Sequence, residues 1–365
     1  MKVCHFTSVH TRYDTRIFLK ECTSLVKSDF DVHLVVADNK GDELKRGLKI
    51  HDVGVFTKGR ISRIFKTTKN VYRKAIDLDA EVYHFHDPEM MIYAYLIKRK
   101  GKKVIYDIHE DFPRQLLTKP YLNLFLRTLM SFFIEKIEHF CASKFDHLIT
   151  ATPFIRDRFL KINSNTIDVN NYPILDELHE KAMVEKKDQV CFIGGISEIR
   201  GIEALVRACE HIDGKLVLAG KFNNALFEQK IRSLNGWKNV DFRGFVNREE
   251  AKQIMAESKA GVVTFLPMPN HINSQPNKMF EYMSASLPVI CSNFPLWHSI
   301  IEKNNCGKCV DPNSVNELSI CINQFLKDDS LSQLGENARK KVVSSYSWEA
   351  EEKKINYIYN ELTYK

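Results

Sequence analysis

Short runs rich in Val, Ile and Phe alternate along the chain with longer amphipathic stretches, the rhythm of parallel strands joined by crossover helices. In the first half the strand-type runs are "KVCHFTSV", "DVHLVVAD", "KIHDVGV", "EVYHFHD", "KVIYDIHE" and "DHLITAT". Helical stretches fit between them at Thr15 to Lys27, Ile61 to Ile76, Pro88 to Lys100, Leu122 to Phe140 and Pro153 to Leu160. The pattern then restarts with "QVCFIGG", "KLVLAG", "VDFRGFV", "AGVVTFL", "PVICS" and "GKCVDP". Two doubly wound, Rossmann-like α/β sheets are predicted, divided by the polar stretch "VNNYPILDELHEKAMVEKKDQ" around Pro173. Open sheets of this kind bind ligands outside the carboxyl ends of their strands, so the two are expected to face each other across a ligand-holding cleft.

Composition narrows the class. A chain of 365 residues that is 44% hydrophobic and 27% charged reads as soluble and globular, and its length favours two domains. It has no run of about 18 apolar residues and no signal-peptide pattern at its start, so a cytosolic chain is expected. Nine scattered cysteines read as reduced core residues, and Cys306 and Cys309 have metal-type spacing without a second pair. The net charge of +7 is most visible in "KGRISRIFKTTKNVYRK", which suits an anionic surface; no nucleic-acid module is present.

Chemistry concentrates where strands run into helices. After "AGVVTFL" a polar loop leads to a helix starting near Pro276, whose free backbone amides and first-turn Lys278 could hold a phosphate. Glu281, one turn on, either accepts hydrogen bonds from sugar hydroxyls or serves the helix dipole. In "VCFIGGISEIRGIEALVRA", Gly194 and Gly195 permit close backbone approach and Arg200 can grip a diphosphate, a second anion site on the same domain.

The first half supplies "HFHDPE", with His84, His86, Asp87 and Glu89, and "YDIHEDFPRQ", with Asp107, His109, Glu110, Asp111 and Arg114. His and carboxylate suit a metal, but neighbouring strand ends more often hold polar substrates than closed ligand shells, and no metal is expected. "SVHTRYDTRIFLKE" lacks the glycine fingerprint of a nicotinamide site. Asp14 and Arg16 in it either bind a polar substrate or cap and pair at the helix start.

These motifs resemble the family-4 retaining glycosyltransferases of the GT-B fold, in particular the bacterial surface-polysaccharide group, through "HFHDPE", "YDIHED", "NYP", "GGISEIRG" and "NSQPNKMFEYMSASLPVI" over nearly the whole chain. The resemblance implies an acceptor-binding domain at residues 1–170, a nucleotide-sugar domain at 171–348, and a last helix at about 349–365 packing back on the first. In the family's E-x7-E element the second acidic position falls on Glu281 and the first on Asn273, a departure from the pattern. The resemblance assigns the donor to Gly194, Gly195, Arg200, Lys221, Asn273, Gln275, Pro276, Asn277, Lys278 and Glu281. Glu281 would hold the ribose, and Arg200 the diphosphate. Gly195 stands where the family often has a further Arg, a charge that Lys221 could replace. His109 matches the histidine that reaches the transferred sugar, and Asp14, Arg16, His86, Asp87 and Glu110 are the expected acceptor contacts.

The implied reaction is sugar transfer with retained configuration from a nucleoside diphosphate sugar, UDP ahead of GDP, to a saccharide acceptor on a polyprenyl diphosphate lipid. The departing diphosphate would be stabilised by Arg200, Lys278 and a helix start, with no cofactor and no metal. A sugar-nucleotide epimerase and a non-catalytic sugar-nucleotide binder are the competing readings. The basic run together with apolar "LFLRTLMSFFIEKIEHF" leads to the expectation of peripheral binding to the inner face of an anionic cytoplasmic membrane.

Overall fold

The computed structural model describes residues 1–55, 63–117, 123–180 and 184–364, except the side chains of Arg63 and Tyr364. Lys58, Arg60 and Ile61 of the basic run, and Leu122 at the expected helix start, lie outside them. The chain divides into two units, one of Met1–Asn171 with Ala350–Lys365 and one of Tyr172–Glu349.

In the first unit, β1 (Lys2–Phe6), β2 (Asp31–Val36), β4 (Leu48–Asp52), β5 (Val82–Phe85), β6 (Lys103–Ile108), β7 (His147–Thr150) and β8 (Thr166–Asp168) run parallel, and β3 (Glu43–Lys45) is antiparallel at one edge. The order across the sheet is β3-β4-β2-β1-β5-β6-β7-β8. Strands buried on both faces carry near-continuous apolar runs, which is why these were visible in the sequence. The three-residue edge strands β3 and β8 carry too little pattern to be seen. Phe85 of β5 stacks on Tyr106 of β6 with centroids 4.5 Å apart, and Phe6, Tyr83 and Val104 join them in the core. Asp14 caps the helical stretch Thr15–Lys27, accepting from the amides of Arg16 at 2.8 Å and Ile17 at 3.0 Å.

The second unit has β9 (Gln189–Ile193), β10 (Lys215–Ala219), β11 (Val240–Gly244), β12 (Ala260–Val263), β13 (Val289–Ser292) and β14 (Gly307–Val310), all parallel, in the order β11-β10-β9-β12-β13-β14. The reversal of strand order beside β9 places the loops after β9 and β12 at the switch point of this sheet. Helix Asn277–Ser284 lies close on the sheet because Gly261 has no side chain: a Cβ there would come within 2.3 Å of the Tyr282 ring. The Tyr282 hydroxyl accepts from the Ile193 amide at 2.9 Å, tying this helix to the turn that begins at Gly194. Buried Trp297 donates to the Ser274 carbonyl at 2.7 Å and fixes the loop before the helix.

Candidate functional site

Three cations gather beyond the strand ends of the second unit. Gly194 has φ 147° and lies under the Lys278 chain so closely that a Cβ would meet Lys278 Cε at 1.7 Å. Gly220, with φ 149°, would meet the Gly194 carbonyl oxygen at 1.7 Å, so the turns after β9 and β10 touch backbone to backbone. Only glycine permits either approach. Arg200 donates to the Gly195 carbonyl at 3.1 Å and stacks 5.3 Å from the centre of Phe265; Lys221 lies 5.0 Å over exposed Phe245. Among the described residues none of the three is paired with a carboxylate within 4.0 Å. Burial lowers the basicity of Arg200, and burial, with Arg200 and Arg248 nearby, lowers that of Lys278 against the pull of Glu281. A partly desolvated, unneutralised cluster of this kind is stabilised by an anion.

Arg200 and Pro276 each stand just before a helix. Arg200 ends a short 3-10 turn, Glu198–Arg200, and Gly201, with φ 69°, precedes helix Ile202–Ala208, so Arg200 stands before the helix. Pro276 is likewise the capping residue, and Asn277 and Lys278 lead helix Asn277–Ser284. Glu281 sits beyond that helix's first turn and accepts from Arg248 at 2.8 Å, while Arg248 also grips Glu177 at 2.7 and 3.0 Å. Gln275 accepts from the Tyr172 hydroxyl at 2.8 Å, and Asn273 is half-buried beside it in the chain.

In the first unit, strand alternation puts His5, His84, His86, Asp107 and His109 on one face of β1, β5, β6 and their extensions, with His5 beside His84 in register. His109 lies 2.8 Å from Asp107 through Nε2, and His86 lies 3.2 Å from the same carboxylate oxygen through Nδ1. Arg16 clasps Asp107 with Nε and Nη2 at 2.8 and 2.7 Å and gives Nη1 to the Val169 carbonyl at 2.8 Å. Burial works against the Asp107 carboxylate, but Arg16 and His109 outweigh it and hold its carboxyl well below the ordinary range. Burial and Asp107 push the neighbouring Glu21 carboxyl the other way, upward. Burial holds His86 at about 4 and takes His5 and His84 well below their ordinary value.

Three expected acceptor contacts are corrected by this geometry. Arg16 is 3% exposed with its donors committed, so of its two readings it takes the structural one. His86 is 2% exposed and sits behind His109. Asp87 is 2% exposed and accepts from the Thr7 and Ser8 hydroxyls at 2.9 and 3.0 Å. Asp14 is a helix cap that also lies 3.3 Å from His10, and exposed Glu110 accepts from Gln115. His109 and His10 are also partly accessible, and their rings are 4.8 Å apart. Burial lowers the basicity of His10, but Asp14, Asp87 and Asp107 together raise it above the ordinary value.

Two groups in this network, His5–Glu21–His84–His86 and His86–Asp107–His109, bring one ligand-type atom each to within 4.8 Å of one another. The rings of the first group are poorly disposed to share an ion: His84 and His86 stack at 24°, so their in-plane lone pairs run side by side, and His5 Nδ1 already lies 3.1 Å from His86 Nε2. All nine cysteines are free, and Cys309 lies 3.5 Å from the sulfur of Cys291, not of Cys306.

Sequence reasoning missed His10, Glu21, Arg248 and Tyr359. His10 sits inside "SVHTRYD" and could have been found as a polar residue just past a strand. Tyr359 touches His5 and His84 from more than 270 residues away, and no local signal points to it.

Residues 16–169 match the family described as Glycosyltransferase Family 4, and residues 176–341 match Glycosyl transferases group 1. An uncharacterized glycosyltransferase of Methanocaldococcus jannaschii is 21% identical over 93% of both chains. The O-antigen chain mannosyltransferase B of Escherichia coli is 27% identical over 31% of this chain and 28% of its own length. Among solved structures, sucrose-phosphate synthase from Thermosynechococcus elongatus superposes with TM-score 0.79 at 16% identity over 99% of each chain. Anabaena HepE in complex with UDP-glucose gives 0.74 at 13% identity over 99% of this chain and 100% of that one. WaaG, a glycosyltransferase involved in lipopolysaccharide biosynthesis, gives 0.74 at 16% identity over 98% and 99%. With two matched domains that together run from residue 16 to residue 341, and two Rossmann-like sheets of the matching fold, the chain belongs to the GT-B glycosyltransferases of the family 4 and group 1 type.

Proposed function

We propose that the protein moves a sugar, with retained configuration, from a nucleoside diphosphate sugar to a saccharide acceptor in the assembly of a surface polysaccharide. The observation that carries this reading is the trio of cations without carboxylate partners, Arg200, Lys221 and Lys278, over the glycine turns of the second unit. A diphosphate leaving group gains negative charge as its bond to the sugar breaks, and fixed cations in a partly desolvated site favour that state. No metal is needed for this role. Glu281 is assigned to the ribose, with Arg248 holding the carboxylate in place, and His109 to the sugar. The likeness to HepE, solved with UDP-glucose, favours UDP; the O-antigen mannosyltransferase and WaaG favour a cell-surface glycan. The proposal adds a polyprenyl diphosphate lipid as the acceptor's carrier.

The test is a panel of UDP- and GDP-sugars read by thermal shift, donor hydrolysis and chelator sensitivity. One donor should raise the melting temperature and be hydrolysed equally well with EDTA present. Epimerisation without acceptor, or binding without turnover, would move the assignment to an epimerase or a binding protein.

The same proposal places the enzyme on an anionic membrane. No helix among the described residues is long and apolar enough to cross one. Helix Leu124–Ala142 nevertheless exposes Phe125 at 78%, Phe132 at 54%, Phe133 at 55% and Phe140 at 54%, more than a helix of the core would. Apolar area of that kind, flanked by Arg127, Lys136 and Lys144, suits an interfacial contact. Sedimentation with anionic vesicles should fall off at high salt and with Phe125→Ser and Phe133→Ser combined; indifference to both would leave the membrane out.

A further inference from the structure

We infer that Asp107 is a positioning residue that fixes the proton of His109 on Nε2, backed by a one-way hydrogen-bond chain through His86, His5, Tyr359 and His84. The inference concerns the group in the first unit that the proposed function assigns to the sugar, and rests on that reading only for the identity of the ligand. Asp107 Oδ2 receives Arg16 Nε at 2.8 Å and faces His109 Nε2 at 2.8 Å and His86 Nδ1 at 3.2 Å. An ionised carboxylate only accepts, so both ring nitrogens carry protons.

The remaining assignments follow in order. A neutral His86 with its proton on Nδ1 has a lone pair on Nε2, so His5 Nδ1, 3.1 Å away, is a donor. His5 Nε2 is then an acceptor and receives the Tyr359 hydroxyl at 3.0 Å. That oxygen in turn accepts from His84 Nδ1 at 2.7 Å. The chain ends at His84 Nε2, which is buried and has no hydrogen-bond partner among the described residues. Run in this direction, the chain leaves a bare lone pair at its blind end. Run in reverse, it would bury an unpaired N–H there and turn the His86 Nδ1 lone pair toward an Asp107 oxygen 3.2 Å away, two faults that folded proteins avoid.

The consequence for the ligand is specific. In its neutral form, with the proton on Nε2, His109 offers Nδ1 as an acceptor and takes a donor group such as a sugar hydroxyl and not a phosphate oxygen. His10, held between Asp14 and Asp87, is the neighbouring imidazole suited to carry charge.

Long-range 15N–1H correlation spectra of the histidine-labelled full chain, at mildly alkaline pH where imidazoles are neutral, read these protons directly. The expected wild-type pattern is a bare nitrogen at Nδ1 of His109 and at Nε2 of His86. Protonated Nδ1 on His109, or a bare Nδ1 on His86, overturns the inference whether or not any variant folds. In Asp107→Asn one amide cannot satisfy the donors now on both oxygens, so His109 should divide between tautomers; an unchanged His109 signal would remove Asp107 from the role. Tyr359→Phe removes one hydroxyl and keeps Asp107 and Arg16, and should leave His5 and His86 mixed. An unmixed pair would break the chain argument. With whichever sugar nucleotide of the panel is turned over, Asp107→Asn should lower kcat about tenfold or more, the worth of a hydrogen bond to a substrate hydroxyl. Wild-type spectra as expected without transfer from any donor would sink the transferase reading and leave the tautomer assignment standing.

Discussion

At the strand ends of the first unit, Arg16 is enclosed by Asp107 and Glu21 and is 3% exposed; at those of the second, Arg200 touches one carbonyl and one phenyl ring and, among the described residues, no carboxylate. Both arginines follow short polar turns after a strand, and their sequence contexts look alike. The first is internal architecture, with its charge already answered by the fold. The second is left unanswered, at a cost the fold recovers only when an anion arrives. A candidate binding surface is therefore marked less by which residues are present than by which remain unmatched.

The comparison breaks first on stability. Arg16→Ala leaves Asp107 buried without its main cation and should cost about 3 to 5 kcal/mol, visible as a large drop in the denaturant midpoint. Arg200→Ala should change stability by no more than about 0.5 kcal/mol, since no partner is abandoned. Its loss should appear instead as a fall of about 100- to 1,000-fold in kcat/KM for transfer. Equal stability losses in the two variants would erase the distinction.

Acid should separate the units next. His5, His84 and His86 have basicities held below the ordinary 6.5, His86 at about 4. Between those values the unfolded chain binds protons that the folded first unit does not, so stability falls as pH drops from about 6.5 toward about 4. Glu21, Glu138 and Glu351, whose carboxyls burial raises, and His10, whose basicity its aspartates raise, work in the opposite sense, while His33, His51 and His139, lowered by burial, add to the first three. Native-state hydrogen exchange, corrected for intrinsic rates, should show β1, β5 and β6 losing protection at pH 5 relative to pH 7.5 before β9, β10 and β12 do. Uniform loss would mean the buried histidines do not set the acid limit.

The sequence shows parts of this contrast and hides others. Apolar runs ending in polar residues give both sheets, because strands covered on two faces must read that way. The glycines at 194 and 195 and the cation at 200 are local and readable. What Arg16 does is not, since its carboxylate partner Asp107 stands 91 residues on. "HFHDPE" and "YDIHE" announce a histidine cluster, yet only the register of β5 against β6 shows that His86 lies behind His109 and does not sit beside it at the surface. Asn273 resists explanation: it is half-buried, and nothing in the structure accounts for an amide there in place of an acid.

The smallest expected effect tests Glu281, where the two kinds of charge meet. Its carboxylate already accepts from Arg248 at 2.8 Å, which resembles the answered charge of the first unit. Yet the side chain lies beside the unanswered Lys278, one turn away on the same helix, and a carboxylate can accept more than one hydrogen bond. The helix-dipole explanation is weak at this position, because that effect fades within the first turn and Glu281 lies beyond it. Glu281→Gln keeps an oxygen for Arg248 and removes the charge. It should leave the melting temperature nearly unchanged while weakening donor binding about tenfold, the difference between a charge-assisted and a neutral hydrogen bond to the ribose. A 2′-deoxy donor should then lose less in the variant than in the wild type, by calorimetric titration. If the deoxy donor loses equally in both, Glu281 belongs with Arg16 as a group whose charge the fold has already used.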